Sequence, residues 1–169
     1  IGGGVRNLDD VAELMKIGAD KVMVNTGALE RPELIKEISR AYGAQCAVVS
    51  IDAKKNDAGD YEVFSNCGRE ATSKSPAEWS QEAESLGAGE ILITSIDRDG
   101  SLQGYDIDLC KAVSDSVSIP VLGLAGAGNW KHFLEGFEKG GLSAVCTQNI
   151  YHFTESSIAS AKNFLTKNG

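Results

Sequence analysis

The sequence has little histidine, proline or methionine: two His, three Pro and two Met among 169 residues, with an aromatic content of 7%. The two histidines, His132 and His152, show no metal-ligand spacing between them, so no metal centre is expected and both read as structural. The four cysteines, Cys46, Cys67, Cys110 and Cys146, form no CxxC pair. Two of them lie in apolar strand-like runs where a thiol packs as a small hydrophobe, which fits a reducing cytoplasm better than a disulfide scaffold. Positive charge is scarce too. With 16 basic against 24 acidic residues the formal net charge is -8, which argues against a nucleic-acid footprint or an anionic membrane surface. No apolar run approaches the ~20 residues of a membrane span, and no secretory leader is visible.

What is present centres on Glu90–Tyr105, EILITSIDRDGSLQGY. Ile91–Ile93 is too short for a lone helix and reads as a buried strand. Thr94, Ser95, Asp97 and Asp99 collect at its C-terminal end, where α/β proteins place binding and catalytic groups, and Gly100 allows close backbone approach to a ligand.

The rest of the chain repeats one pattern. Gly2–Gly4 precedes a helical spacing at Leu8, Val11, Leu14 and Ile17, closed by Gly18. Lys21–Val24 reads as a strand ending in Asn25, Thr26 and Gly27. Pro32 opens a helix that Gly43 ends, and Ala47–Ile51 is a strand ending at Asp52. Turn chemistry at Asn56–Gly59 and Asn66–Gly68 around Tyr61–Phe64 predicts a hairpin excursion, before a helix capped by Ser75 and Pro76 that runs past Trp79. Beyond the central strand come a helix near Ile107–Val113, a strand at Pro120–Leu124 and the turn AGAGN. A helix from Trp130, a strand at Ala144–Thr147 and a last helix near Ser156–Leu165 complete the chain. The pattern predicts five complete parallel strands plus the tail of one before Gly2, covered by helices on both faces. Trp79 and Trp130 are expected to be helix-packing residues.

Sliding the chain by 123 positions without gaps sets Ile1–Gly4 on Leu124–Ala127, Gly18 on Gly141, Val22 on Val145 and Asn25 on Gln148. Any two β/α units align in a similar way, so these matches leave a true repeat and a generic likeness equally open. A true repeat puts four β/α units in 123 residues, and a closed eight-stranded barrel then needs roughly 250. The 169 residues would be a single domain, the last two-thirds of such a barrel with about five and a half β/α units. Two units and most of a third strand would precede Ile1.

IGGGVRN, GADKVMVNTGALE, VVSIDAKK, GAGEILITSIDRDGSLQGYD and AGAGNWKHF resemble the cyclase subunit of imidazole glycerol phosphate synthase, a (β/α)8 barrel, from Gly2 to about Phe153. The resemblance implies an enzyme of histidine biosynthesis, a lyase that works without a cofactor. Ammonia channelled from a glutaminase partner in a heterodimer is added to a phosphorylated ribulosyl intermediate. Asp52 matches one of the family's two catalytic aspartates; the other belongs to a first strand that precedes this sequence, so the chain alone is not expected to turn over. Gly4, Asn25 and Thr26, with Asn149 at the end of the last strand, match one phosphate site. Thr94, Asp99, Gly100 and Gly126 match the second. Lys21 and Glu90 match a pair that gates ammonia at the opposite end of the barrel; solvated charges at strand starts would be equally in keeping with their positions.

The sequence departs from the family in both phosphate cradles. Leu124 and Ala125 replace a serine and a glycine, and Thr147, Gln148 and Asn149 replace small residues and a serine. Cys67 stands where serine is common. Three functions are therefore carried forward: the histidine-pathway cyclase, a paralogue adding ammonia to a surface-polysaccharide sugar (an acetamidino-type modification), and a non-catalytic barrel that activates a glutaminase.

Overall fold

The alternation of apolar strand runs and amphipathic helices builds one mostly parallel α/β sheet in a computed structural model, which describes residues 1–148, 150 and 157–169. The order is α1 (Leu8–Lys16), β1 (Val22–Val24), α2 (Thr26–Glu30), α3 (Glu33–Tyr42), β2 (Ala47–Lys55), β3 (Tyr61–Ser65), β4 (Glu70–Ala71) and α4 (Pro76–Ser85). It continues with β5 (Glu90–Ser95), α5 (Ile107–Ser114), β6 (Val121–Leu124), α6 (Trp130–Glu138), β7 (Ala144–Val145) and α7 (Ile158–Asn168). Five parallel strands lie side by side in chain order, β1-β2-β5-β6-β7. Ahead of them, Gly2 bridges Met23 in parallel and the Met23 N–H donates to the Ile1 carbonyl at 2.8 Å, so the chain before the glycine turn is strand-like as expected.

Sequential order without a reversal is the winding of a (β/α)8 barrel. Right-handed crossovers that always step the same way leave their helices on one side of the sheet. The expectation of helices on both faces is corrected by side-chain parity. Val22 and Val24, Val49 and Ile51, Ile91 and Ile93, and Val121 are at most 2% exposed, in one core with Leu34, Ile35 and Ile38 of α3, Trp79 of α4 and Leu109 and Val113 of α5. Of the side chains of opposite parity, Val48 and Leu92 are buried, but Met23, Ser50, Asp52, Thr94, Leu122 and Leu124 are only partly so. That second face is the interior of the barrel curve, and its C-terminal end carries the polar groups. The sheet is open between β1 and β7 among the described residues.

Two boundaries differ from expectation. Ile17 is 75% exposed, because α1 ends at Lys16 and Ile17 is its cap; Val11 is the residue that the helix buries. β2 does not stop at Asp52 but runs to Lys55, since Asp52–Lys55 pairs antiparallel with β3 in the predicted hairpin while Asp52 and Ala53 still pair β5. Trp79 is 1% exposed in the core, and Trp130, edge-on to Phe133 of its own helix at 5.1 Å, is partly buried against that core, so both pack their helices as expected. No helix among the described residues is long and apolar enough to cross a membrane.

The internal likeness of the two halves extends to the backbone. Asn7 and Asn129 each cap the helix after a glycine turn, and the Ile1 and Gly123 carbonyls accept the N–H groups of Met23 and Cys146 at 2.8 Å. Gly3 and Gly4 have φ +107° and +74°; Ala125 and Gly126 have +83° and +91°. The turns therefore correspond with a shift of 122, whereas Met23 and Cys146 keep the shift of 123. The gapless alignment misplaced the turn by one residue because the second half carries one extra residue between turn and strand.

Candidate functional site

The C-terminal ends of β1, β2, β5 and β6 surround a cleft of about 600 Å³ lined by Gly2–Arg6, Asn25, Thr26, Ser50, Asp52, Asn66–Gly68, Thr94, Asp99 and Leu124. A smaller cavity of about 170 Å³ continues it and is lined by Thr94, Asp99, Gly100, Leu102, Leu124–Ala127, Thr147 and Gln148. Thr94, Asp99 and Leu124 border both. The mouth therefore has two limbs meeting at the end of β5. The residues named from sequence, Gly4, Asn25, Thr26, Asp52, Thr94, Asp99, Gly100 and Gly126, all reach it. Asn149 and His152 lie outside the described residues.

Asp52 is set by strand register. It pairs Thr94 across β2 and β5, so its carboxylate faces the interior beside that hydroxyl. The Asn25 amide Nδ2 donates to Asp52 Oδ2 at 2.9 Å. Burial pushes the Asp52 carboxyl above its ordinary range; hydrogen bonds from Asn25 and Thr94 oppose this, and the nearby Asp99 charge adds to it. Loss of hydration outweighs two donors here, which is the setting of a proton-transfer group rather than of a salt-bridged structural carboxylate. The other end of the Asn25 amide, Oδ1, is buried without a hydrogen-bond partner among the described protein groups. A buried acceptor left unpaired costs about 1–3 kcal/mol, so it calls for a donor such as water or a bound molecule.

The first limb is roofed by the hairpin turn. Asn66 N–H donates to Thr26 Oγ1 at 3.1 Å, and Asn66, Cys67 and Gly68 all have positive φ. A Cβ on Gly3 or Gly4 would meet nothing within 4 Å, so these residues are glycine for their backbone angles and leave the limb open. Behind them Asp10 Oδ2 accepts from the Arg6 and Asn7 N–H groups, and Asn7 Oδ1 accepts from Asp10 N–H. Gly126 differs again. A Cβ there would collide with the Gly104 carbonyl, while the Gly126 carbonyl accepts the Gly104 N–H at 2.7 Å. Close packing of two loops accounts for that glycine.

At the opposite ends of the strands the Lys21 ammonium pairs with the Glu90 carboxylate. Half the Lys21 side chain is solvated, so the pair contributes little to stability. His132 is local: its Nδ1 accepts the Gly128 N–H at 3.0 Å. Among the described residues no cluster of His, Cys, Asp and Glu could hold a metal ion.

Sequence reading missed four residues. Ser50 lies two positions before Asp52 and should have been found from strand alternation. Arg6 lines the first limb directly after the glycine turn, its guanidinium paired with Glu30 at 2.8 Å. Tyr61 and Asp106 are joined at 2.6 Å, and Asp106 also accepts from Leu109 N–H as the cap of α5 and from Ser95 Oγ at 3.4 Å. That carboxylate ties hairpin, β5 and α5 together behind the Asp99–Gly100 loop. No local pattern announces a link between residues 45 positions apart.

A family model described as Histidine biosynthesis protein matches residues 1–157. The family comprises (β/α)8-barrel isomerases and cyclases of histidine biosynthesis.

Proposed function

The chain belongs to the histidine biosynthesis protein family, and on that premise we propose that it is the acceptor-binding barrel of an ammonia-using enzyme of the cyclase type, working in the cytoplasm with a glutaminase as heterodimer partner. Asp52 is the acid/base group: when ammonia adds to an electrophilic carbon, a proton must leave nitrogen and another must reach the departing group. A carboxyl with weakened acidity beside a hydroxyl and an amide can carry both. The observation that supports this most is Asp52 itself, desolvated at the meeting point of two limbs. Asn25, Thr26 and Gly4 line the first limb, as a phosphate-ended acceptor requires. Lys21 and Glu90 stand at the strand ends through which ammonia from a partner would enter.

In its histidine-pathway form this enzyme makes imidazole glycerol phosphate. A second reading, the paralogue that adds the same ammonia to a surface-polysaccharide sugar, is favoured by one observation: Leu124, Ala125 and Gln148 all line the second limb. A scaffold that only activates a glutaminase gains no support from a buried, unpaired carboxamide oxygen beside Asp52. The test is complementation of a histidine auxotroph lacking the cyclase by the full-length gene, with Asp52→Asn in parallel. Growth restored by the wild type and lost in the variant supports the histidine cyclase. No growth, together with ammonia-dependent modification of another acceptor that Asp52→Asn abolishes, supports the paralogue. Turnover unaffected by Asp52→Asn rejects both.

A further inference from the structure

The two limbs of the mouth share a backbone and differ in what lines it. With the turns matched by φ and by their capping asparagines, Leu124 stands where the first half has Gly2, and Ala125 where it has Gly3. The first half therefore has no side chains at two places where the second half carries an isobutyl group, which borders both limbs, and a methyl, which lines the second. Ala125 holds its methyl at φ +83°, a conformation that glycine adopts freely and other residues resist. A strained residue kept beside a cavity points to a use for its side chain there.

The lining charges differ as well, whereas the helix starts behind the two limbs are both capped by an asparagine. Among the described residues the first limb is lined by Arg6, Asp52 and Asp99 and the second by Asp99 alone, so the one lining cation belongs to the first. At the start of α6, the Gly128 N–H is given to His132 Nδ1, and the Lys131 and His132 N–H groups to Asn129 Oδ1. These amides are taken by the capping residues, as the Asp10 N–H is at the start of α1. A phosphate here would lose hydration against Leu124 and Ala125 and face Asp99 with no cation among the described lining residues, whereas the first limb, which shares Asp99, also has Arg6.

We propose that Leu124, with Ala125 and Gln148, makes the second limb a subsite for an uncharged group, so that the acceptor carries phosphate at one end only. Leu102, Leu124 and Ala127 offer that group apolar surface, while Thr94, Thr147 and Gln148 offer it hydrogen bonds. The inference rests on reading the mouth as the acceptor site, and it makes Leu124 the residue that determines which acceptors fit.

The test is titration of isotope-labelled full-length protein with inorganic phosphate, followed through backbone amide chemical shifts. In the wild type, the amides of Gly3 and Gly4 are expected to shift to saturation over a range in which those of Gly100 and Gly126 do not. In Leu124→Ser/Ala125→Gly, the Gly100 and Gly126 amides should titrate as well, with affinity raised by at least about tenfold. Wild-type second-limb amides that saturate as tightly as those of the first overturn the proposal, and so do second-limb amides that stay unmoved in the double variant. Failure of the acceptor-site reading is seen separately, as turnover that survives Asp52→Asn.

Discussion

Replacing Asp52 by asparagine separates a proton-transfer role from a structural one because the structure assigns the two roles opposite signs in stability. The amide is nearly isosteric and still accepts the hydrogen bond that Asn25 Nδ2 gives at 2.9 Å, but it cannot take a proton. Loss of a positioned acid/base group costs about 10²- to 10⁴-fold in kcat, or about 3–5 kcal/mol of barrier, with KM little changed. Stability should move the other way. Burial raises the folded-state pKa of Asp52 above its unfolded value, so the native state holds that proton more tightly. The resulting stabilisation is fully present below the unfolded pKa and is lost as pH rises through the folded one. At neutral pH the ionised carboxylate is thus a net cost, and Asp52→Asn should melt no lower than the wild type. On acidification the wild type should gain on the variant. The assay is ammonia-dependent turnover of the full-length enzyme beside thermal melts from acid to neutral pH. Near-normal kcat, or a variant that melts well below the wild type at neutral pH and loses activity in proportion, would refute the reasoning.

Ala125 at φ +83° bears a strain of about 1–2 kcal/mol; the greater freedom of glycine in the unfolded chain offsets about 0.4–1 of it. Ala125→Gly should therefore raise stability by up to about 1 kcal/mol, read as a higher denaturant midpoint at unchanged slope. Tyr61→Phe removes the hydroxyl that donates to Asp106 at 2.6 Å and should lower stability by about 1.5–3 kcal/mol, measured in the same way. Of the thiols, Cys67 is exposed and lines the first limb, whereas Cys46 and Cys110 are buried and desolvation pushes the Cys110 thiol up to about 12. Alkylation of native protein should therefore reach Cys67 first, and inorganic phosphate should slow it; prior labelling of Cys110, read by peptide mass, would contradict the burial. Lys21→Met should lower glutamine-dependent turnover more than turnover with added ammonia salts, and equal losses in the two assays would remove the Lys21–Glu90 pair from ammonia entry.

The sequence by itself determined the elements, their parallel pairing and many, though not all, of the residues at the mouth, because each is written in local patterns. Apolar runs such as Ile91–Ile93 end in Thr94 and Asp99, glycines close helices, and turn residues bracket Tyr61–Phe64. The family match over residues 1–157 covers the same stretches. Tertiary structure alone decided which face of the sheet is interior, and so why Ser50 and Asp52 sit at a site while Val49 and Ile51 sit in the core; winding direction is a property of successive crossovers, invisible within any one unit. It also decided that Asp106 anchors Tyr61, that Gly126 is glycine because Gly104 packs on it, and that Asp52 is desolvated strongly enough to outweigh its donors. Each depends on groups brought together across the fold. A residue type fixes what a side chain can donate, accept or ionise, but only its neighbours in space fix the balance between them.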